Sequence, residues 1–541
     1  MKTSSYKLLG KSKQNEFQKL KIKVKIIIKN WDILLLFGFL LALFLIVESS
    51  IPLPSIVCAQ DLGVFFDAGW RFYQGQLCHA DYRSPLGPLF SILFGVPMKL
   101  FGPEYSSLKF LPFSVTAIIS LWAFVLARAS IPKLLALLCS LTIGLFAGGL
   151  FHPGFQYQAL TFAVFYNRVA YGLLAIASIS ALLPRLKLSI SKRLILDISL
   201  SASICCMTFL KANFAMAGWA FFLMSLFLVK RTHLEWRFLF ISGFAFCFLF
   251  GYSIGFRFDL MLQDLLFAAS ARQSSAQELF FYPLRNFTAN ADYFGVTGFM
   301  ALIVALLAWQ GSITWKLAGI FCVVLWIPIL LGFGLTLMQS HGDGRCFPTL
   351  VSGALVAVAW IHAKELKNIL AQCLLWLSSG FLALMVAAPL LAAYQFLFTL
   401  TPEHFPKRFE GTSLAQWYIT DFNTLGENFV PIINEGLALV REKVPKNATL
   451  QCIDGANNFN FGTGRRSPKN SALFWSEQTT YSLKAHPSMA LFNDTEYLLF
   501  PTGKPIWPQP VWLEIYGDYV RQHYEEFARS ANYLLLRRKS S

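Results

Sequence analysis

Charge is what this sequence has least of. Only 14% of its 541 residues are Asp, Glu, Lys or Arg, against about a quarter in ordinary soluble chains. That scarcity excludes a water-soluble globular protein. Negative charge is the rarer sign, with 29 acidic residues against 46 basic ones. Metal-binding cysteine patterns are missing as well. The ten cysteines include no two spaced Cys-x-x-Cys pairs, which removes structural zinc sites. No internal repeat is visible, and low-complexity sequence is confined to an N-terminal lysine run. Solenoids and transporters built from inverted repeats therefore lack their sequence signature.

Apolar residues fill the space, at 55% of the chain with 53 Phe and 14 Trp. Runs of about 20 apolar residues recur and define a polytopic membrane protein. Nine lysines and the single acid Glu16 fall within residues 1–30. A lysine-rich segment just before an apolar helix reads as a cytoplasmic anchor on anionic lipid rather than a nucleic-acid-binding arm. It is also too long for the basic region of a secretory signal, so the first apolar helix is expected to be retained.

The expected spans are 31–49, 110–127, 134–150, 161–183, 194–210, 212–229, 238–256, 293–309, 317–337, 349–362 and 369–395. Segment 86–101 is apolar too, but a helix of that length reaches only about 24 Å and contains Pro88 and Pro97. Leaving it out places Arg128, Lys133, Arg185, Lys187, Lys192, Arg193, Lys230, Arg231, Arg237, Lys316, Lys364 and Lys367 in short cytoplasmic loops, as the positive-inside rule favours. Including it moves all of them outside. The expectation is therefore a helical bundle of about 11 spans, with 86–101 lying at the outer leaflet. Residues 1–30 form a cytoplasmic tail, 31–395 the transmembrane domain with a first outer loop at 50–108, and 396–541 an extracytoplasmic domain. In this last part the apolar runs shorten to strand length. Helices are expected at 425–444 and 511–528, and strands at 449–453, 496–500 and 532–538, giving a small α/β domain.

Chemistry points to the first outer loop. Asp61, Asp67 and Asp81 lie there with Arg71 and Arg83 in an aromatic-rich stretch beside membrane. A carboxylate at such a boundary can take a proton from an incoming hydroxyl or amine; the plainer reading is acids solvated in an external loop. Asp61 and Asp67 are six apart, about 240° on a helix, so one faces a site while the other caps or pairs with Arg71. Cys58 and Cys78 flank the loop and could pair in an oxidising compartment. Cys205 and Cys206 read as packing.

The order of features resembles the GT-C superfamily of polytopic glycosyltransferases, near the bacterial relatives of protein O-mannosyltransferases and the lipid A aminoarabinose transferase (family 39-like). The resemblance rests on one span, then an outer loop opening with Asp61, then Ala68-Gly69, Gly75, Asp81-Tyr82-Arg83, Ser84-Pro85, Gly87-Pro88 and a non-spanning helix. It extends to Phe461-Gly462-Thr463-Gly464-Arg465-Arg466-Ser467-Pro468 in the C-terminal part. It implies juxtamembrane helices in the first loop and a periplasmic C-terminal domain. It also implies Asp61 as the general base of an inverting transfer from a polyprenyl-phosphate sugar to a lipid, glycan or protein acceptor, in the inner membrane. Asp67, Asp81 and Arg83 are then orienting or acceptor-binding groups. The family's usual second acid is missing, because Asp61 is followed by Leu62 and no acid lies in 151–158. Few hard oxygen ligands remain for a divalent metal, so no metal and no cofactor are expected.

A phosphate leaving group calls for positive charge at the outer face. Lys211 sits at an outward turn, where an ordinary snorkelling lysine would also sit. Arg168 lies inside an apolar run, where charge is costly and suggests function. The stretch 340–345 offers His341 and Arg345 on either side of two glycines, Gly342 and Gly344, that let backbone approach phosphate. Two alternatives remain: a transporter or flippase, and a polymerase or ligase of envelope polysaccharide. No nucleic-acid partner is expected.

Overall fold

The computed structural model describes residues 30–56, 58–59, 61–151, 156–185, 188–271, 291–337, 347–364, 368–409, 411–419, 429–455, 457–477, 479–502 and 510–540. The chain divides into two compact units, Met1–Leu45 and Ile46–Ser541. In the first, the described part is a helical run that opens α1 (Trp31–Ser49), apolar apart from Asp32.

The second unit holds everything else. Helices follow as α2 (Asp61–Tyr73), α3 (Pro88–Phe101), α4 (Leu111–Ala127), α5 (Lys133–Ala147), α6 (Phe165–Leu182), α7 (Ile190–Thr208), α8 (Ala212–Leu228), α9 (His233–Tyr252) and α10 (Phe258–Ala271). Then come α11 (Ala291–Trp309), α12 (Trp315–Leu337), α13 (Phe347–Ala363) and the 31-residue α14 (Ile369–Thr399). Seven described helices, one of them α4 with the short turn before it, are long and apolar enough to cross a membrane. Four apolar helices are shorter: α3, α5, α8 and α13. Helix α7 carries Lys192, Arg193 and Asp197. Each expected span coincides with one of these helices, and α10 is an additional helix within the stretch read as the loop 257–292.

Burial sorts the bundle. In α6, 94% of the apolar window is buried, against 17% in α9. A helix apolar on all sides and covered by protein is central, and one left uncovered faces lipid. Small residues make the centre possible: α13 packs on α6 and α5 through a Ser-Gly-Ala-rich sequence. One end of the bundle is fastened by a buried ion network. Arg185 beyond α6 holds both oxygens of Asp197 on α7, at 2.6 and 2.7 Å, and Glu235 on α9 at 2.9 Å. Arg231, between α8 and α9, adds a bond to Asp197 at 2.9 Å. Glu235 also closes a capping box with Thr232 at the start of α9. These arginines, which sequence places in loops, are inward ties.

The C-terminal part folds as α15 (Phe429–Lys443), β1 (Leu450–Cys452), the short α16 (Phe459–Thr463), β2 (Tyr497–Pro501), α17 (Pro510–His523), β3 (Tyr524–Arg529) and β4 (Tyr533–Arg538). The sheet order is β1-β2-β4-β3, with β1 and β2 parallel and the other pairs antiparallel. Its core packs Trp475, Phe492, Trp512 and Tyr516 against the sheet. The helix expected over 511–528 ends at His523. Residues 524–529 instead pair with β4, from Tyr524 opposite Arg538 to Arg529 opposite Leu534. The fold is thus mainly helical and polytopic, with a small α/β domain at its C-terminus.

Candidate functional site

Helix α2 begins at Asp61 and is the element on which the site is built. Close approach of two glycines seats it against α3. A Cβ at Gly95 would lie 2.3 Å from the Phe72 ring, and one at Gly69 would lie 3.0 Å from Phe94. Phe65 then stacks on Phe94, with centroids 4.7 Å apart, and meets Phe90 edge-on at 5.2 Å. Pro88 starts α3 at its first turn, where a missing N–H is tolerated.

Asp61 is half-buried at the mouth of this pair. Among the described residues no hydrogen-bond donor or cation pairs with its carboxyl. Burial alone raises it from the ordinary 3.8 to about 6. The other two loop acids are committed. Asp67 is fully buried and takes Nε of Arg71 at 2.7 Å and the Ser467 hydroxyl at 2.8 Å. Asp81 takes the Leu77 amide at 2.8 Å and Lys469 at 2.9 Å. The three carboxylates therefore separate into one open acid and two structural ones.

Phe65 lies one turn after Asp61 on the same face of α2. Its ring meets Tyr166 at 6.2 Å, and Lys211 Nζ stands 5.1 Å from the Tyr166 centroid. Lys211 also donates to Asn167 Oδ1 at 2.9 Å. The loop before α3 reaches the same corner. The Gly87 amide donates to Leu210 O at 3.1 Å and the Leu89 amide to Phe209 O at 2.8 Å, next to Lys211. Only glycine fits at 87, because a Cβ there would lie 2.2 Å from the Phe209 carbonyl oxygen. Phe65, Tyr166 and Lys211 thus form one corner, closed by the backbone contacts of residues 87–89 with 209–210.

Arg168 is buried, and two of its three guanidinium nitrogens are hydrogen-bonded. Nη1 donates to Phe151 O at 3.2 Å and Ala163 O at 3.0 Å, and Nη2 to Thr161 O at 3.1 Å. Arg168 thus ties Phe151 to Thr161 and Ala163 through two of its nitrogens, while its buried Nε has no hydrogen-bond partner among the described residues. Arg83 is partly exposed and lies 3.9 Å from Asp264 on α10. His341 and Arg345 lie outside the described residues. No disulfide joins Cys58 to Cys78.

Several groups here had no sequence signal. His79, buried, bonds Asp264 at 2.9 Å and pins the first loop to α10. Asn167 and Tyr166 complete the Lys211 corner. Asp454, buried after β1, accepts the Gly455 amide at 2.6 Å, and burial pushes its carboxyl up to about 7. A cleft of about 940 Å³, lined in part by Glu104, Ser413, Arg441, Lys446 and Arg465, lies between the first loop and the C-terminal domain and includes no residue of α2. No group of three or more His, Cys, Asp or Glu that could hold a metal occurs among the described residues.

No protein-family model matches the chain, and no curated protein matches it. Among solved structures it is similar to apo ArnT from Cupriavidus metallidurans, at 11% identity and a TM-score of 0.44, over 93% of this chain and 97% of that one. The undecaprenyl phosphate-bound form of that protein gives 11% identity and a TM-score of 0.43 over the same shares. The archaeal oligosaccharyltransferase AglB from Archaeoglobus fulgidus, in complex with an inhibitory peptide and a dolichol-phosphate, is 11% identical, with a TM-score of 0.41, over 88% of this chain and 70% of that one.

Proposed function

We propose that this protein is an integral-membrane glycosyltransferase that moves a sugar from a polyprenyl-phosphate donor to an acceptor on the outer face of the inner membrane. The observation that carries the reading is the open acid at the head of α2. Asp61 has no cation partner among the described residues, and burial holds it near 6. A general base works best when its pKa lies near the operating pH. A solvated loop acid would sit near 4, and a structural one would be paired, as Asp67 and Asp81 are.

The step follows from that placement. Asp61 takes the proton of the acceptor hydroxyl or amine while its oxygen or nitrogen attacks the anomeric carbon from the face opposite the phosphate. The bond between that carbon and the phosphate oxygen breaks, polyprenyl phosphate leaves with the electron pair, and the anomeric configuration inverts. Lys211 offsets the charge that develops on the leaving phosphate, with Asn167 and Tyr166 fixing the ammonium. His341 and Arg345 are assigned to the same phosphate by their chemistry, an imidazole and a guanidinium beside two glycines in an outer stretch. Asp81 and Arg83 border the acceptor side. No metal enters the scheme.

The class is tested by supplying the purified full-length protein with undecaprenyl-phosphate-linked hexoses and aminopentoses plus candidate acceptors. Release of undecaprenyl phosphate together with a glycosylated acceptor is the expected outcome. Movement of intact donor across vesicles without bond cleavage would replace this reading with a flippase. Cleavage only with a pyrophosphate-linked oligosaccharide would replace it with a polymerase or ligase.

A further inference from the structure

We propose that the C-terminal domain positions Asp61 by gripping the opposite side of α2, with Ser467 as the positioning residue at the centre of the grip. The proposal rests on reading Asp61 as the base.

At about 100° per residue, Trp70 lies roughly 180° around α2 from Asp61, with Phe66 on one side of it and Gln74, just past the end of the helix, on the other. Asp67 and Arg71 lie along one edge of this back face. All five meet the single stretch 461–471. Phe66 stacks on Phe461, with centroids 5.1 Å apart. The Trp70 indole N–H donates to Arg465 O at 2.7 Å, and Gln74 Nε2 reaches the same carbonyl at 3.3 Å. Arg71 donates to Pro468 O at 2.8 Å and to the Ser471 hydroxyl at 2.9 Å.

Ser467 joins this grip to the core of the domain. Its hydroxyl donates to Asp67 and accepts from Asn460 Nδ2 at 3.1 Å. Asn460 Nδ2 in turn donates to Leu450 O on β1 at 2.9 Å. The Ser467 carbonyl takes Gln76 Nε2 at 2.6 Å. The sheet is thereby linked through two side chains to a buried carboxylate of the base helix. Adhesion between two parts of a fold is the simpler explanation of such contacts. It does not require them to converge on one 13-residue helix, nor that helix to be closed against α3 on its other side.

The physical consequence is specific. Asp61 is only half-buried, so its ionisation depends on how deeply α2 is seated. Loosening the back face lets the head of the helix lift, hydrates the carboxyl and moves its titration toward the ordinary value. A small displacement of a base also lowers turnover more than it alters ground-state binding.

The test uses the full-length protein in detergent and needs no substrate. Carbodiimide labelling of Asp61, read by mass spectrometry across pH, gives its titration midpoint. Ser467→Ala is expected to move that midpoint down from about 6 by at least about one pH unit, while thermal stability falls only modestly. Trp70→Phe, which keeps an aromatic ring but deletes the indole N–H and its hydrogen bond, is expected to shift it in the same direction and serves if Ser467→Ala does not fold. Arg466→Ala, an exposed neighbour paired with Asp494, is the control and leaves the midpoint in place. With an active donor, Ser467→Ala lowers kcat roughly tenfold or more and leaves the donor KM within about twofold. Folded Ser467→Ala and Trp70→Phe proteins with the wild-type midpoint would overturn the proposal. Full turnover by Asp61→Asn would instead remove the base reading, and the labelling midpoint would still decide whether the domain seats α2.

Discussion

Ser467 donates its hydroxyl to Oδ1 of Asp67 at 2.8 Å, joining residues 400 positions apart. Asp67 is itself neutralised by Arg71, one helical turn on. The bond makes the first loop and the C-terminal domain parts of one construction. It also removes Asp67 from the candidates for proton transfer and leaves Asp61 as the loop's open acid.

The first prediction concerns pH. Asp61 must be ionised to accept a proton, and burial raises it to about 6. The log of kcat/KM is therefore expected to rise with pH up to about 6 and to level off above it. A profile already flat from pH 4.5 upward would show that no group with this pKa limits the reaction.

Gly87→Ala is expected to damage the site from a distance. The added Cβ would lie 2.2 Å from a backbone oxygen of Phe209, so either the 84–88 loop or the turn holding Lys211 must move. Donor KM is expected to rise roughly tenfold or more, with the protein still folded by thermal scan. Unchanged donor affinity would argue against a phosphate site at Lys211.

Asp454 gives a stability signature. Its folded carboxyl lies near 7 against an ordinary 3.8, so the folded state binds the proton more tightly than the unfolded one. The associated stability is present at low pH and is lost as pH rises between those two values. Asp454→Asn carries no such penalty. Its melting temperature is expected to exceed wild type at pH 8, with the gap narrowing toward pH 5. A constant difference across that range would show that Asp454 does not titrate in the fold.

The ion network at the other end of the bundle makes a sharper demand. Asp197→Asn leaves Arg185 and Arg231 facing one another with a carboxylate removed. Breaking one partner of a buried pair costs about 3–5 kcal/mol, read as a large drop in detergent melting temperature. A loss below about 1 kcal/mol would show that water or lipid replaces the lost acid.

The positions of the expected spans were legible because lipid forces every crossing helix to be apolar along its length, and that pattern is local. Asp61 was legible for the same reason, as an acid at the edge of an apolar segment. What depended on distant partners was not. The stretch 524–529 reads as the end of a helix until β4 arrives to pair with it; strand preference follows from neighbours more than from intrinsic propensity. Arg168 stood out as a charge in an apolar run, but the carbonyls of Phe151, Thr161 and Ala163 reach it only in the folded chain, with Val164 in the left-handed region at φ 49°. Helix α10 is short and carries Asp259 and Asp264, and the second finds its partner only when His79 of the first loop reaches it. Ser467 was visible only as one member of the stretch 461–468, and nothing local marked its hydroxyl as the partner of Asp67, 400 positions away.

The account stands most directly on Asp61→Asn. Turnover of an undecaprenyl-phosphate-linked sugar by the purified full-length protein is measured at saturating donor, and donor binding is measured separately. The account predicts a loss of roughly 100-fold or more in kcat with donor affinity retained. Undiminished turnover in the variant would contradict it.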